Sequence, residues 1–364
     1  MALLKLSCLR GIAALAWPAV CIFAPSVVQA ANIGPSQSQY CQIDFSGPIV
    51  SGDRARLVKA LKDAREKDDT VNICLNSPGG DFSETLRIVN ALVGEKGNWD
   101  TNGTVVDAGA ECIAECAFIF MAGKHHEFHG ISMPLRRLHI NGKLAFRLPK
   151  TAAATGAVGE KELARAYSEA VKQVKALMET NSKVDLLDKN KPYPKTLSAK
   201  VLTLDDNELL PVDSIDQIGG WTIQLLGLPR PTALSSTVSE AHLQRACDNY
   251  NRWSYGKKPA TAQSASQAAV KLVSSLYYTT AFKGFGQTAD QYCIIWYFDS
   301  KVNGPKLDIA VYKNLKPGKD EYRSTPDSLK EYFDGTDQFG DNGQPVWSLF
   351  DPATKLDQLV QLLK

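Results

Sequence analysis

The residues best placed for chemistry lie between Ile73 and Gly123. An apolar run ends in Ser77-Pro78-Gly79-Gly80 and passes at once into a helical pattern. A second run, Thr104 to Val106, leads through a small-residue turn into another. Such turns aim backbone N–H groups at a helix N-terminus, where a negative oxygen is stabilised. Nucleophile and base candidates stand close by: Ser77, Ser83 and Cys116, with Lys124 or Lys143 to take a proton. Four of the five histidines, His125, His126, His129 and His139, lie within fifteen residues. His125 and His129 would ligate a metal together on a helix, but Gly123, Lys124 and Gly130 mark a polar loop. No cofactor motif is present.

Strand, glycine turn and helix, twice over, is the pattern of a parallel sheet with crossover helices, so the fold class expected is α/β. Strands are expected at Gln42–Gly47, Val71–Leu75, Thr104–Val106 and Leu138–Phe146. Helices are expected at Arg54–Glu66, Thr85–Val93 and Ile113–Met121, the last apolar all round. Glu160–Thr180 carries a stripe through Leu163, Tyr167, Val171, Val174, Leu177 and Met178 that reads as core packing. Leu202–Asp206 reads as a helix start capped by Thr203 or Asp205. Leu226-Gly227-Leu228-Pro229-Arg230-Pro231 is the linker candidate. Beyond it, helices are expected at Glu240–Trp253, Ser264–Tyr278, Asp327–Phe333 and Ala353–Leu363. A hairpin through Asn303-Gly304 would join strands Tyr292–Phe298 and Lys306–Tyr312.

A length of 364 residues suggests two domains. The expected division is a signal peptide over 1–30, an α/β domain over 31–228 and a small α+β domain of unknown role over 236–364. The signal reading rests on Lys5 and Arg10, an apolar stretch from Gly11 to Ala24, and Val28-Gln29-Ala30 before the cut. The mature protein is then periplasmic or secreted, with no membrane segment. Losing Lys5 and Arg10 leaves basic residues equal to the 39 acidic ones, so the balance gives no reason to invoke nucleic acid or anionic lipid. Six cysteines remain: Cys41, Cys74, Cys112, Cys116, Cys247 and Cys293. In an exported chain they read as disulfides, Cys41–Cys74 and Cys247–Cys293 being the pairs expected. Cys112 and Cys116 would make a strained bridge if both sat on one helix. A zinc site there is the rival reading, but the spacing is not CxxC and no histidine lies at ligand spacing.

Asn76-Ser77-Pro78-Gly79-Gly80, the stretch AECIAECAFIFMAG ending at Gly123, and LHINGKLAFRLP ending at Pro149 resemble the Clp protease proteolytic subunit and the wider ClpP/crotonase superfamily. More narrowly, the chain is similar to exported bacterial proteins of that fold. The resemblance spans about Gln42 to Asp216 and leaves out the C-terminal part. It implies a serine at the start of the apolar helix and a histidine two residues before the proline of the third segment, Pro149. Here those positions carry Ala114 and Arg147. Alanine is no nucleophile, and arginine stays protonated and cannot act as base. The aspartate position falls near Ala199 and Lys200. What remains of the implied machinery is an oxyanion pocket of backbone N–H groups from Gly79 or Gly80 and from Glu115.

The expected function is therefore a non-catalytic pseudo-peptidase that binds a peptide or protein, with homo-oligomers in keeping with the family. Arg147 either helps the N–H groups receive a carboxylate or phosphate, or pairs with Glu115 and fills the cleft. The alternatives are a hydrolase with a displaced serine or cysteine, and a metal-binding protein acting through His125–His139.

Overall fold

The computed structural model describes residues 30–94, 101–126, 132–149, 160–182, 190–205, 207–229, 239–256, 271–274, 277–283, 291–300, 304–313, 343–344 and 346–363. The expected signal segment up to Gln29, His129 and the expected Asp327–Phe333 helix lie outside these residues.

The architecture is mixed α/β. Strands β1 (Asn32–Pro35) and β2 (Ile43–Ser46) pair antiparallel, and helix α1 (Asp53–Arg65) leads to β3 (Thr70–Asn76). Helix α2 (Phe82–Val93) then precedes β4 (Thr101–Val106). Strand β5 (Glu111–Ile113) and the short helix α3 (Glu115–Phe120) follow, then β6 (Lys124–His126), β7 (Ser132–Pro134), β8 (Arg136–His139) and β9 (Lys143–Phe146). Helices α4 (Glu160–Ser182) and α5 (Lys195–Leu202), strand β10 (Leu210–Pro211), helix α6 (Ile215–Gly220) and strand β11 (Gln224–Leu226) complete this part.

The main sheet has eight strands. β2, β3, β4, β8 and β11 run parallel, while β1, β6 and β7 join antiparallel. β3 and β4 are buried on both faces, as central parallel strands must be, which explains their near-continuous burial. A second, smaller sheet places β9 between β5 and β10.

The two helices that cover the first strands are joined at their N-termini. Glu84 of α2 accepts hydrogen bonds from the backbone N–H of Gly52 (3.0 Å) and Arg54 (2.7 Å), at the start of α1. Burial pushes the Glu84 carboxyl up. The hydrogen bonds from Arg54 and Gly52 and the guanidinium of Arg87 outweigh that and hold it below the usual range. Asp81 caps α2 by accepting the Glu84 N–H at 3.0 Å.

Three local expectations change. The run Leu138–Phe146 is two strands in two sheets, because the chain turns at Asn141-Gly142, where the Gly142 N–H reaches the His139 carbonyl. Leu202–Asp206 is where a helix stops: α5 starts after Pro194, and the N–H of Thr203 closes it on Lys200 and Val201. The stripe of α4 is only partly core. Leu177 and Thr180 are buried, but Val171 and Met178, two turns apart on one line of the helix, are 50% and 39% exposed.

Helix α7 (Glu240–Tyr255) matches expectation. The helix expected at Ser264–Tyr278 is overturned. In its described part, from Lys271 on, strands β12 (Lys271–Ser274) and β13 (Tyr277–Lys283) stand instead, and β-branched and aromatic residues favour the sheet. β12 pairs with β13 and β13 with β14 (Gln291–Ser300), which forms a long hairpin with β15 (Gly304–Lys313), and β16 (Gly343–Gln344) pairs with β15. A 3-10 turn at Val346–Leu349 and helix α8 (Leu356–Leu362) follow.

This later part packs directly on α6. Trp253 lies so close to Gly219 that a Cβ there would sit 2.4 Å from the indole ring. Trp253 Nε1 donates to Asp216 Oδ1 at 3.3 Å, and Asn249 Nδ2 donates to the carbonyls of Ser348 and Phe350. The backbone N–H groups of Ile215 and Asp216 reach the carbonyls of Thr354 and Pro352. One buried core runs from Ile43 and Phe45 through Ile215 and Ile218 to Trp253, Trp347 and Leu359.

Candidate functional site

The turn after β3 is shaped by close approach. Gly79 has φ +100° and Gly80 φ +154°. A Cβ on Gly80 would meet the Ile49 carbonyl oxygen at 2.2 Å, and one on Gly79 would meet Glu115 Oε2 at 2.3 Å. Gly80 therefore needs glycine for space as well as for φ, while at Gly79 the near atom is a side-chain end and φ is what calls for glycine. Ser77 stitches the turn to β5, its N–H donating to the Glu111 carbonyl at 2.7 Å and its own carbonyl accepting the Ile113 N–H at 3.0 Å.

The second turn is built differently. The expected helix Ile113–Met121 starts only at Glu115, because Cys112 and Ile113 pair with Leu144 and Ala145 of β9. Between strand and helix sits Ala114, fully buried, with φ +54° and ψ −117°. An L-residue with a Cβ is strained there by on the order of 1–3 kcal/mol. The Ala114 N–H donates to the Ala145 carbonyl at 2.8 Å.

The bond Cys112–Cys116 brackets this turn. It is not a bridge within one helix, as feared from the spacing. One cysteine belongs to β5 and the other to α3, and the change of direction at Ala114 brings their Cα atoms to 5.1 Å. Cys41–Cys74 and Cys247–Cys293 are paired as expected. Three disulfides suit an oxidising, extracellular-type compartment. Among the described residues, no helix is long and apolar enough to cross a membrane.

The two turns meet through Glu115. Its side chain is buried, and Oε2 accepts the Gly80 N–H at 3.0 Å. Arg147 Nη2 lies 3.5 Å from the same oxygen. The Gly79 N–H donates to Ser77 Oγ at 3.2 Å. The N–H groups of Gly79 and Gly80, one of which was expected to form an oxyanion pocket with the N–H of Glu115, are thus already satisfied from inside the protein. Of the two roles foreseen for Arg147, the pairing with Glu115 is the one observed. The contact is long, and Arg147 Nε is buried without a hydrogen-bond partner among the described residues.

The substitute nucleophiles fare no better. Cys116 is held in a disulfide and offers no thiolate. Ser77 is buried, and among the described residues its hydroxyl meets only the Gly79 N–H. Lys143 pairs with Glu111 at 2.6 Å, and Lys124 donates to the Val93 carbonyl at 2.7 Å. His125 lies on β6. Among the described residues, no group of three or more His, Cys, Asp or Glu side chains is placed to hold a metal.

Beneath the site, Phe118 makes edge-on ring contacts with Phe82 and Phe146, each at 5.6 Å, and a tilted one with Tyr193 at 5.8 Å. These rings tie both turns to β9 and to the segment before α5. On the far side of that segment, Arg136 is fully buried. It donates to the carbonyls of Trp221 (2.8 Å), Asn190 (3.2 Å) and Lys191 (2.7 Å), and burial lowers its pKa to about 9. Sequence reasoning missed this residue, although strand alternation puts Arg136 on the same inward face as Leu138. It foresaw the Glu115 side chain as a partner for Arg147, but not that the same carboxylate accepts the Gly80 N–H.

No protein-family model matches the chain, and a search of curated proteins finds no match.

Proposed function

We propose that this is an exported, periplasmic or secreted, ClpP-like protein that has exchanged peptide-bond hydrolysis for peptide or protein binding. The observation that carries the reading is the buried carboxylate of Glu115 on the Gly80 N–H, next to a methyl group at Ala114. In a hydrolase built on two such turns, the first N–H pocket receives a developing oxyanion and the second turn presents the nucleophile. Here the pocket holds a side chain of the protein itself, and the second turn presents Ala114. Arg147, where the resemblance implies a base, supports that carboxylate instead of taking a proton. The strained backbone at Ala114 supports descent from a catalytic ancestor, since nothing in an alanine asks for that conformation.

A fluorophosphonate probe and panels of peptide and ester substrates test this reading. The expected result is no covalent labelling and no turnover. Labelling that disappears on changing a single serine, such as Ser77→Ala, overturns it in favour of a displaced nucleophile.

A further inference from the structure

We infer that one face of the C-terminal sheet is a platform for a linear glycan that carries carboxylates. Register sorts the residues of this antiparallel sheet onto two faces. Cys293 of β14 is bonded to Cys247 of α7, so the face it shares with Ile295, and with Val311 of β15, is the one α7 covers. α7 and the 3-10 turn at Val346–Leu349 pack on these strands and on each other, which sets both on one side. The opposite face belongs to Tyr292, Ile294, Trp296 and Phe298 of β14. An antiparallel sheet with one packed face normally turns polar residues to the other. Here successive positions of that second face are aromatic or branched aliphatic, so the sequence of β14 asks for cover on both sides.

The neighbouring strands say what kind of cover. Lys283, Tyr292 and Tyr312 stand side by side at one end of the face, and Tyr277, Phe298 and Lys306 at the other. In between, Trp296 lies between Thr279 and Asp308, and Ile294 between Ala281 and Ala310. Lys271 of β12 stands beside Thr279. The large residues thus form a row along one strand, with small ones flanking its middle, and the row is about 20 Å long. Three strands about 4.8 Å apart make a face of roughly 300 Å², against about 800 Å² a side in a stable protein pair. That is too little for a second copy and enough for one extended polymer strand. Lys271, Lys283 and Lys306 meet a single acid, Asp308, on this face, whereas basic and acidic residues balance over the expected mature chain. The charge therefore calls for an acidic polymer, and lysines as separate point charges suit carboxylates spaced along it. Aromatic rings present an electron-rich face that attracts the polarised C–H face of a pyranose. In an oxidising compartment the acidic polymer built of rings is a glycan.

The test is titration calorimetry of the intact chain with two carboxylated glycans, polygalacturonate and strands freed from bacterial cell wall. Each is used with its carboxylates free and methyl-esterified, and oligodeoxythymidine of matched length stands beside them. A free-acid glycan is expected to bind at least about tenfold more tightly than its ester, and the one that binds names the source. Lys283→Gln with Lys306→Gln should bring the acid down to the ester's affinity. Trp296→Ala should weaken acid and ester alike. Failure of both glycans to bind overturns the inference, and equal affinity for acid and ester overturns the role of the lysines. Tighter binding of oligodeoxythymidine than of either glycan overturns it in favour of nucleic acid. Glycan binding that survives both variants, each melting as the parent does, places the ligand elsewhere and overturns the face. The comparison of acid with ester needs no variant, and the lysine pair stands at the corners of the face, so a folding defect in Trp296→Ala does not blunt the test.

Discussion

The turns Ser77–Gly80 and Ile113–Glu115 do the same geometric task by different means. Each ends a strand, reverses the backbone through positive φ and opens a helix. The first uses glycine twice, and at Gly80 it is enforced by the Ile49 carbonyl oxygen, 2.2 Å from where a Cβ would stand. The second uses alanine at φ +54° and closes a disulfide around it. The first turn is held by lack of space, the second by a covalent ring. The difference teaches that one backbone task can be met by two independent means, want of room for a Cβ in one turn and a covalent ring around a strained alanine in the other.

Substitutions can break this comparison, and the largest effect belongs to the first turn. Gly80→Ala forces a Cβ into the Ile49 backbone at φ +154°, where no flexible side chain can yield. A loss of about 3 kcal/mol or more is expected in urea unfolding. Next is Cys112→Ser with Cys116→Ser. Closing so short a loop is worth roughly 2 kcal/mol in the chain-entropy model, so a loss of that order is expected in the same assay. Hydrogen exchange should then be faster at the Gly80 amide if the ring also positions Glu115, and unchanged if it only cross-links.

Arg147→Met is expected to cost about 1–2 kcal/mol, because Glu115 stays buried with the Gly80 N–H as its remaining described partner. The long contact and the partial exposure of Arg147 keep this below the cost of breaking a tight buried pair. Arg147→Met with Glu115→Gln should recover part of the loss. The smallest effect is expected for Ala114→Gly. Relief of positive φ offsets the lost methyl and the added chain entropy, leaving a change under about 1 kcal/mol in thermal unfolding. A large loss there would show that Ala114 is not strained and that the two turns are less alike than their φ angles suggest.

Much of the scaffold was legible because it is written locally. Ser77-Pro78-Gly79-Gly80 carries its own turn chemistry, and α1, α2 and α7 carry their periodicity. The shortening of the expected Ile113–Met121 helix was not legible, since Cys112 and Ile113 are drawn into a sheet by residues 144 and 145, some thirty positions on. The expected helix Ser264–Tyr278 reads as helix by apolar spacing, but its described residues 271–274 and 277–278 fold as strand by sheet partnership, where tertiary pairing overrides period. At the site, the pairing of Arg147 with Glu115 could be named from the sequence as one of two expectations. The bond from the Gly80 N–H to the Glu115 carboxylate could not, because it exists only where β3, α3 and β9 converge.

The return of residues 352–355 to α6 sets an order of assembly. The Ile215 and Asp216 N–H groups wait for carbonyls on Thr354 and Pro352, and Asp213 pairs with Lys355 across 142 positions of sequence. A chain made or threaded N-terminus first exposes α6 long before those partners arrive. The last shell around this helix closes only when residues 352–355 are released. Until then Ile215 and Ile218 offer a greasy, unfinished surface to any chaperone that meets the emerging chain.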